Sequence, residues 1–462
     1  MATQDIATDT AGIAEGPREA LIVAWIADNL GARVTRIEMQ GRWRPAWFVD
    51  AERDGERLHL YVRGERTENF LPYGLRREYE VHRCLEQGGI RVPHLYGFIE
   101  DLPGSVMDVV PGRPNLGTCD DPQDKDAVLG QLAEQMVAMH ALDPQPLVDA
   151  GLRLPTEPRD VTLSLFQDFY DNYAARHQRP DPLLEFCAQW VLRNAPEASE
   201  PARVIACDAG QFLFDGDTLT AMMDFELSAL GDPLMDLAAL RIRGQWEDLG
   251  DIPAFYRRYE AVSGRPVDMQ KVRFNTAAFS LAGALASAIC VDQFLEAPSE
   301  NADYVEYLSW VTWEVKQAIE AIGEYLGIAL AATELPEPAN TGLDEALFAM
   351  GAALESGAGG SAVDEYRHRV RVSIHAHMQL VNAYGPAFEE EYCGDVADLL
   401  GRTPQSVAEA DRWLEDFVRS AGPDADETLL ILLHRRVCRQ AWLLAVPGSY
   451  YIAGLTEPLK PI

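Results

Sequence analysis

From residue 18 to residue 30 the apolar side chains fall at helical spacing (Leu21, Ile22, Trp25, Ile26, Leu30), which predicts a short amphipathic helix. The period then shortens to that of strands. Residues 34–39, 47–51 and 58–63 read as three strands, with a turn at Asp54-Gly55. Helical spacing returns over 75–87 and stops at Gly88-Gly89, and 95–99 and 106–110 give two more strands. After residue 111 the pattern is helical over 126–141, 161–176 and 182–194. It is interrupted by apolar runs at 204–207, 212–214 and 219–223 around an Asp215-Gly216-Asp217 turn. These runs predict a hairpin with Asp208 at one end and Asp224 at the other, an arrangement able to aim both carboxylates into one cleft. Helices resume at 252–263, 270–297 and 300–326. A Pro-rich stretch, 335–341, marks a boundary. Beyond it 343–355, 362–385, 390–400, 405–420 and 426–446 read as helices, with a flexible break at 357–360.

A chain of 462 residues can hold two or three domains, and 47% hydrophobic residues with nine Trp argue for a folded core. A net charge of −34 excludes nucleic acid and anionic membranes as expected partners, so any phosphate site must be locally basic. The seven cysteines are scattered, without a C-x-x-C pair, which disfavours a disulfide framework or zinc site and suits a reducing cytoplasm. Residues 1–17 are acidic and lack an apolar signal core, so they read as a disordered leader with no sign of export. The Ala-rich run 276–291 is too short to span a bilayer and reads as a buried helix.

The stretch around the two acids carries a resemblance. Ala206-Cys207-Asp208, Gln211, Asp224-Phe225-Glu226, Gly231-Asp232-Pro233 and Asp236-Leu237-Ala238 resemble the HGDxxxxN, IDWE and GDPxxDLA motifs of the aminoglycoside phosphotransferase/choline kinase family. The likeness is closest to the bacterial members that cluster with acyl-CoA dehydrogenases. LAEQMVAMHALDP at the end of the 126–141 helix and the YEAVSGRPVD segment extend it, so that it runs from about residue 20 to about residue 300. It implies an α+β, protein-kinase-like two-lobe fold followed by an all-α domain. The N-lobe would be 18–110, the C-lobe 111–330, the linker 331–342 and the helical domain 343–462. A lid, a homodimerisation module and a docking surface all fit that last domain. The implied activity is transfer of phosphate from ATP, with Mg2+, to a hydroxyl of a small organic molecule.

In this resemblance Asp208 is the catalytic base, Asp224 a magnesium ligand and Gln211 a second metal ligand on a loop two residues shorter than the family's. Arg63, at the end of the third strand, takes the place of the kinase lysine, with Glu78 as its carboxylate partner. The cover loop, Gly41 to Trp47, has a single glycine, but Arg42 and Arg44 can bring charge to the phosphates. Asp108 and Val109, in the connector between lobes, would hold adenine, and Asp236 would brace the catalytic loop. Ala206 in the family's His position, the shortened loop and the glycine-poor cover favour an alternative, a weak or inactive pseudokinase that acts as a scaffold. Other constellations are bland. His375 and His377 point to different helix faces, Tyr307, Trp310 and Trp313 read as core, and Cys207 reads as a buried thiol.

Overall fold

The alternating stretches near the N-terminus pair into one antiparallel sheet, and most of the chain after them is helix. A computed structural model describes residues 16–42, 44–66, 70–297, 304–339, 341–355, 360–446, 449 and 451–462. The expected leader, but for its last two positions, and most of the 357–360 break lie outside the described residues. Helix α1 (Pro17–Leu30) buries Ile22, Val23 and Ile26 and ends at Gly31, whose left-handed φ of 61° suits glycine. It leads into β1 (Arg33–Met39), β2 (Ala46–Arg53), β3 (Glu56–Gly64), α2 (Leu75–Gln87), β4 (Leu95–Ile99) and β5 (Gly104–Asp108). The strand order is β1-β2-β3-β5-β4, with every neighbouring pair antiparallel. One face of that alternation, including Val34, Trp47, Val49, Leu60 and Val106, clusters with α1.

The second lobe starts with α3 (Pro122–His140), α4 (Gln145–Asp149), α5 (Pro158–Ala174) and α6 (Pro182–Asn194). Asp-Pro pairs open α3 and α6. Asp121 and Asp181 accept early helical amides, and proline sits where no amide is needed. Four short strands follow, β6 (Arg203–Ile205), β7 (Phe212–Asp215), β8 (Thr218–Met222) and β9 (Ala229–Gly231). Here the expected hairpin needs correction. β7 and β8 form it alone, while β6 pairs antiparallel with β9. The chain turns out of β6 through Cys207 at φ 66°, so the 204–207 run cannot continue as a hairpin arm. Asp208 therefore follows β6 and Asp224 follows β8, at the ends of two separate ladders.

Helices α7 (Leu234–Arg243), α8 (Ile252–Ser263), α9 (Met269–Glu296) and α10 (Tyr304–Leu326) complete the lobe. By length and composition α9 could cross a membrane, but 89% of its most apolar window is buried inside the fold, where α10, α7 and α5 pack on it. The two lobes form the α+β, protein-kinase-like arrangement that the resemblance implies. Five more α-helices follow among the described residues: α11 (Asp344–Glu355), α12 (Ala362–Leu400), α13 (Val407–Ser420), α14 (Asp426–Leu444) and α15 (Ile452–Thr456). The two helices expected over 362–385 and 390–400 are one, running through Pro386. Phe388, Tyr392 and Val396 are buried beyond the proline, and that burial offsets a break costing about 3 kcal/mol. Tyr392, Leu414, Leu433 and Leu455 join Phe274, Leu285 and Ile319 in a single apolar cluster, so α12 to α15 share the core of the second lobe, while α11 packs on α12. His375 and His377 bond to different carbonyls, those of Leu347 and Leu443.

Where α14 meets α10, His434 Nε2 lies 3.2 Å from Glu320 and 3.4 Å from Cys438 Sγ. These three groups are close enough to share a metal ion, but the Lys316 ammonium already sits 2.8 Å from Glu320 and favours an ionic network instead. Burial alone would lower the His434 pKa; the hydrogen bonds to Cys438 and Glu320 outweigh it and push it up to about 9. A folded-state value raised above the unfolded ~6.5 contributes stability that is fully present below pH ~6.5 and is lost as pH rises through about 9. The contribution is on the order of 3 kcal/mol at most. Melting temperatures of wild type and His434→Leu between pH 6 and 10 test this, with the steeper fall expected in wild type. Parallel curves would mean that His434 does not titrate with folding.

Candidate active site

The site is held from behind by α7. Asp236, fully buried in the first turn of that helix, accepts from the backbone amides of Ala206 (3.1 Å) and Cys207 (2.7 Å). His140, at the end of α3, reaches the same carboxylate at 2.8 Å and Tyr259 on its other ring nitrogen at 2.8 Å. An imidazole thus supports the loop from α3, although position 206 has none. The support fixes Cys207 in its left-handed conformation, a strained state that the surrounding hydrogen bonds over-determine.

Asp208 comes next in the chain. Arg243, two turns after Asp236 on the same helix, meets it with Nη2 at 2.8 Å and Nε at 3.3 Å. Glu247 takes the other side of that guanidinium at 2.9 Å. Burial would lower the pKa of Arg243, but the charges of Asp208 and Glu247 more than offset it and hold the group firmly cationic. Gly210 makes room for this contact, because a Cβ there would run into the Arg243 side chain. Gln211 donates from Nε2 to Asp208 at 2.7 Å, and its own amide bonds back to the Asp208 carbonyl at 3.1 Å, which closes the short loop.

Asp224 also has a left-handed φ, 61°. It pairs with Arg63, whose Nε lies 2.8 Å from Glu78, so the expected pair between Arg63 and Glu78 forms. The network is larger than expected. Arg44 bonds to Glu78 at 3.1 Å and to Glu226 at 2.6 Å, and Arg63 and Arg66 also reach Glu226. Three guanidiniums thus surround three largely buried carboxylates, close to charge balance, as buried ions require. Burial alone would raise Glu226, but Arg66, Arg44 and Arg63 hold it below the usual carboxylate range.

Asp208, Gln211 and Asp224 line one cavity of about 370 Å³ together with Arg42, Arg66, Glu226 and Arg243. Arg44, Arg63 and Glu78 are corrected: all three are buried in the network and outside the lining, and Arg66 lines the cavity instead. Asp108 and Val109 are not brought to this cavity. Their amides donate to the carbonyls of His94 and His59, so the adenine contact expected of that backbone meets groups already engaged. Trp310 and Trp313 line the cavity although their spacing reads as core; Tyr307 is buried. Glu226, Arg66 and Arg243 were not singled out from sequence. Glu226 had a signal as the last residue of the Asp224-Phe225-Glu226 motif, and Arg243 in its seven-residue spacing from Asp236, which puts both on one helix face.

A family profile described as "Phosphotransferase enzyme family" matches residues 40–274, just over half of the chain. The mouse protein named acyl-CoA dehydrogenase family member 10 is 25% identical over 219 residues, which cover 43% of this chain and 19% of that protein. The human protein named acyl-CoA dehydrogenase family member 11 is 27% identical over 189 residues, covering 37% and 23%. The chain thus spans about a fifth of the length of these curated relatives. A solved structure from Ralstonia eutropha, of a candidate aminoglycoside phosphotransferase, is similar over 67% of this chain and 98% of that one, with a TM-score of 0.49 and 17% identity.

Proposed function

The chain belongs to the phosphotransferase enzyme family, and from that premise we propose that it transfers the γ-phosphate of ATP, with Mg2+, to a hydroxyl group of a small organic molecule. The observation that carries this reading is the meeting of Asp208 and Asp224 in one cavity beside Arg42 and Arg66. Phosphoryl transfer asks the protein mainly for positioning and charge neutralisation. Asp208 orients the acceptor hydroxyl and takes its proton as the new O–P bond forms. The bond from the γ-phosphorus to the bridging oxygen breaks, and ADP leaves with the electron pair. Arg42 and Arg66 neutralise phosphate oxygens, while Arg243 and Gln211 fix the Asp208 carboxylate.

The residues fit a hard divalent cation. Asp224 offers a carboxylate to the cavity, and Gln211, with its Nε2 turned to Asp208, keeps an amide oxygen as donor. When bound there, Mg2+ supplies charge neutralisation on the phosphate oxygens. The seven cysteines are free thiols, which supports a reducing, cytoplasmic setting.

One observation favours a second reading, a scaffold without turnover: both Asp208 oxygens face Arg243. Calorimetric titration with ATP, with and without Mg2+, tests the proposal on wild type and Asp224→Ala. Mg2+-dependent binding is expected in wild type and should weaken about tenfold to a hundredfold in the variant, the scale of a lost charged contact. Absence of ATP binding in both proteins would sink the phosphotransferase reading.

A further inference from the structure

The lining of the cavity joins two chemistries, charged groups and an aromatic wall, and most of the wall comes from later in the chain. Asp208, Asp224, Arg42 and Arg66 lie within the stretch that matches the family profile. Phe279, Glu314, Trp310, Trp313 and Tyr451 lie beyond it, on α9, α10 and the segment before α15.

Resting on the phosphotransferase reading, we infer that the acceptor is an uncharged alcohol with a flat apolar body, aromatic or alicyclic, that lies against the wall of Trp246, Trp310, Trp313 and Tyr451 and is hydrogen-bonded at its far end by Glu314 and Ser287. Three observations carry this. The rings form a wall and not a cage. Trp246 and Trp313 meet edge to face at 4.8 Å, Trp246 and Tyr451 at 5.5 Å, and Trp313 and Tyr451 stack at 5.7 Å. Rings in direct contact leave no space among them for an ammonium group, whereas a cage must hold the cation over several faces at once. A flat apolar body is what such a surface takes up.

Charge points the same way. Asp208 and Glu247 are paired with Arg243, Asp224 with Arg63, and Glu226 with three arginines. Glu314 is the remaining carboxyl among the described lining residues, and burial, opposed by the hydrogen bond to Ser287 and assisted by the Asp208 charge, drives it well above the ordinary carboxylate value. A carboxyl displaced toward its neutral form offers an O–H donor and is a poorer partner for an amine than a free carboxylate. The third observation is the room made for that group. Gly283 on α9 faces it directly, and a Cβ there would run into the Glu314 carboxyl, while Ser287 Oγ stands 3.4 Å away. Both Gly283 and Ser287 line the cavity.

The test uses the full chain saturated with Mg2+ and a non-hydrolysable ATP analogue. Calorimetry and quenching of tryptophan fluorescence read the binding of coniferyl alcohol, cyclohexylmethanol, choline and kanamycin, and ATP turnover is measured separately. The two neutral alcohols should bind more tightly than the two cations. Glu314→Leu should weaken coniferyl alcohol about tenfold, the loss of one buried hydrogen bond, and Glu314→Gln, which keeps a neutral donor, should restore most of it. Intact binding of the ATP analogue in both variants shows that they are folded. Tighter binding of choline or kanamycin, no binding of either neutral alcohol, or Glu314→Leu at wild-type affinity overturns the inference and leaves the phosphotransferase reading standing. Loss of nucleotide binding in wild type overturns the reading itself.

Discussion

Replacing Asp208 with Asn is expected to lower kcat for phosphoryl transfer about a hundredfold to ten-thousandfold, the range for removing a positioned general base. The substitution keeps the shape of the side chain and an oxygen able to accept from Arg243, which stands 2.8 Å from it in wild type. It removes the second carboxylate oxygen, which the acceptor proton needs. Nucleotide affinity should change little, because Arg42, Arg66 and Asp224 keep their side chains and their charges. The expected signature is thus a fall in kcat with an almost unchanged KM for ATP, an interaction used mainly in the transition state. A variant within threefold of wild type would mean that Asp208 serves only to anchor Arg243, and the proton acceptor would have to be sought elsewhere.

The largest stability effect is expected from Arg63→Met. Arg63 is one cation in contact with three carboxylates, Glu78 at 2.8 Å, Glu226 at 3.2 Å, and Asp224. Burial opposes its charge, and Asp224, Glu78 and Glu226 more than compensate, so that its pKa lies above the ordinary guanidinium value. Methionine keeps much of the stem and removes the charge, leaving Asp224 and Glu78 with too little neutralisation in a poorly solvated place. Breaking a buried pair in this way costs about 3–5 kcal/mol. Thermal and urea unfolding should both report it, and Mg2+-dependent ATP binding should fall as well, since Asp224 loses the contact that orients it. Arg63→Lys should recover part of the stability only, because a single ammonium cannot bridge three carboxylates with the geometry of a planar fork. Unchanged unfolding in Arg63→Met would show that Arg44 and Arg66 neutralise the network without it.

These two expectations separate two layers of the site. The loop bearing Asp208 is fixed from the second lobe, through Asp236, His140 and Arg243. Asp224 is fixed from the first lobe, through Arg63. Glu226, two residues after Asp224, is where cations from the first lobe tie down the second. Relative motion of the lobes must therefore act on this network, which is where nucleotide phosphates would compete for the arginines.

The sequence by itself determined most of the elements and singled out Asp208, Gln211, Asp224 and Arg42 among the residues that line the cavity. Periodicity placed α2, β4, α6 and α8 at their observed bounds, because caps and stops such as Asp181, Gly264 and Gly88-Gly89 are local signals that act within one turn of chain. The spacing of Asp208, Gln211, Asp224 and Asp236 marked residues that do lie together, since a short hairpin permits few paths between them. Tertiary structure alone decided the rest. Pairing of β6 with β9 depends on residues about 25 apart in sequence, whose meeting no local pattern encodes. The inward turn of Arg44 depends on two carboxylates, Glu78 and Glu226, from α2 and from the loop after Asp224. The helices after 343 look separate along the chain because a Pro-rich stretch precedes them, yet the apolar faces of α12 to α15 find partners in α6 and α10, and α11 packs on α12. The aromatic wall shows the same limit. A three-residue spacing of tryptophans says that they share a helix face, but whether that face meets protein or a cavity depends on Gly283, Trp246 and Tyr451, which come from other segments.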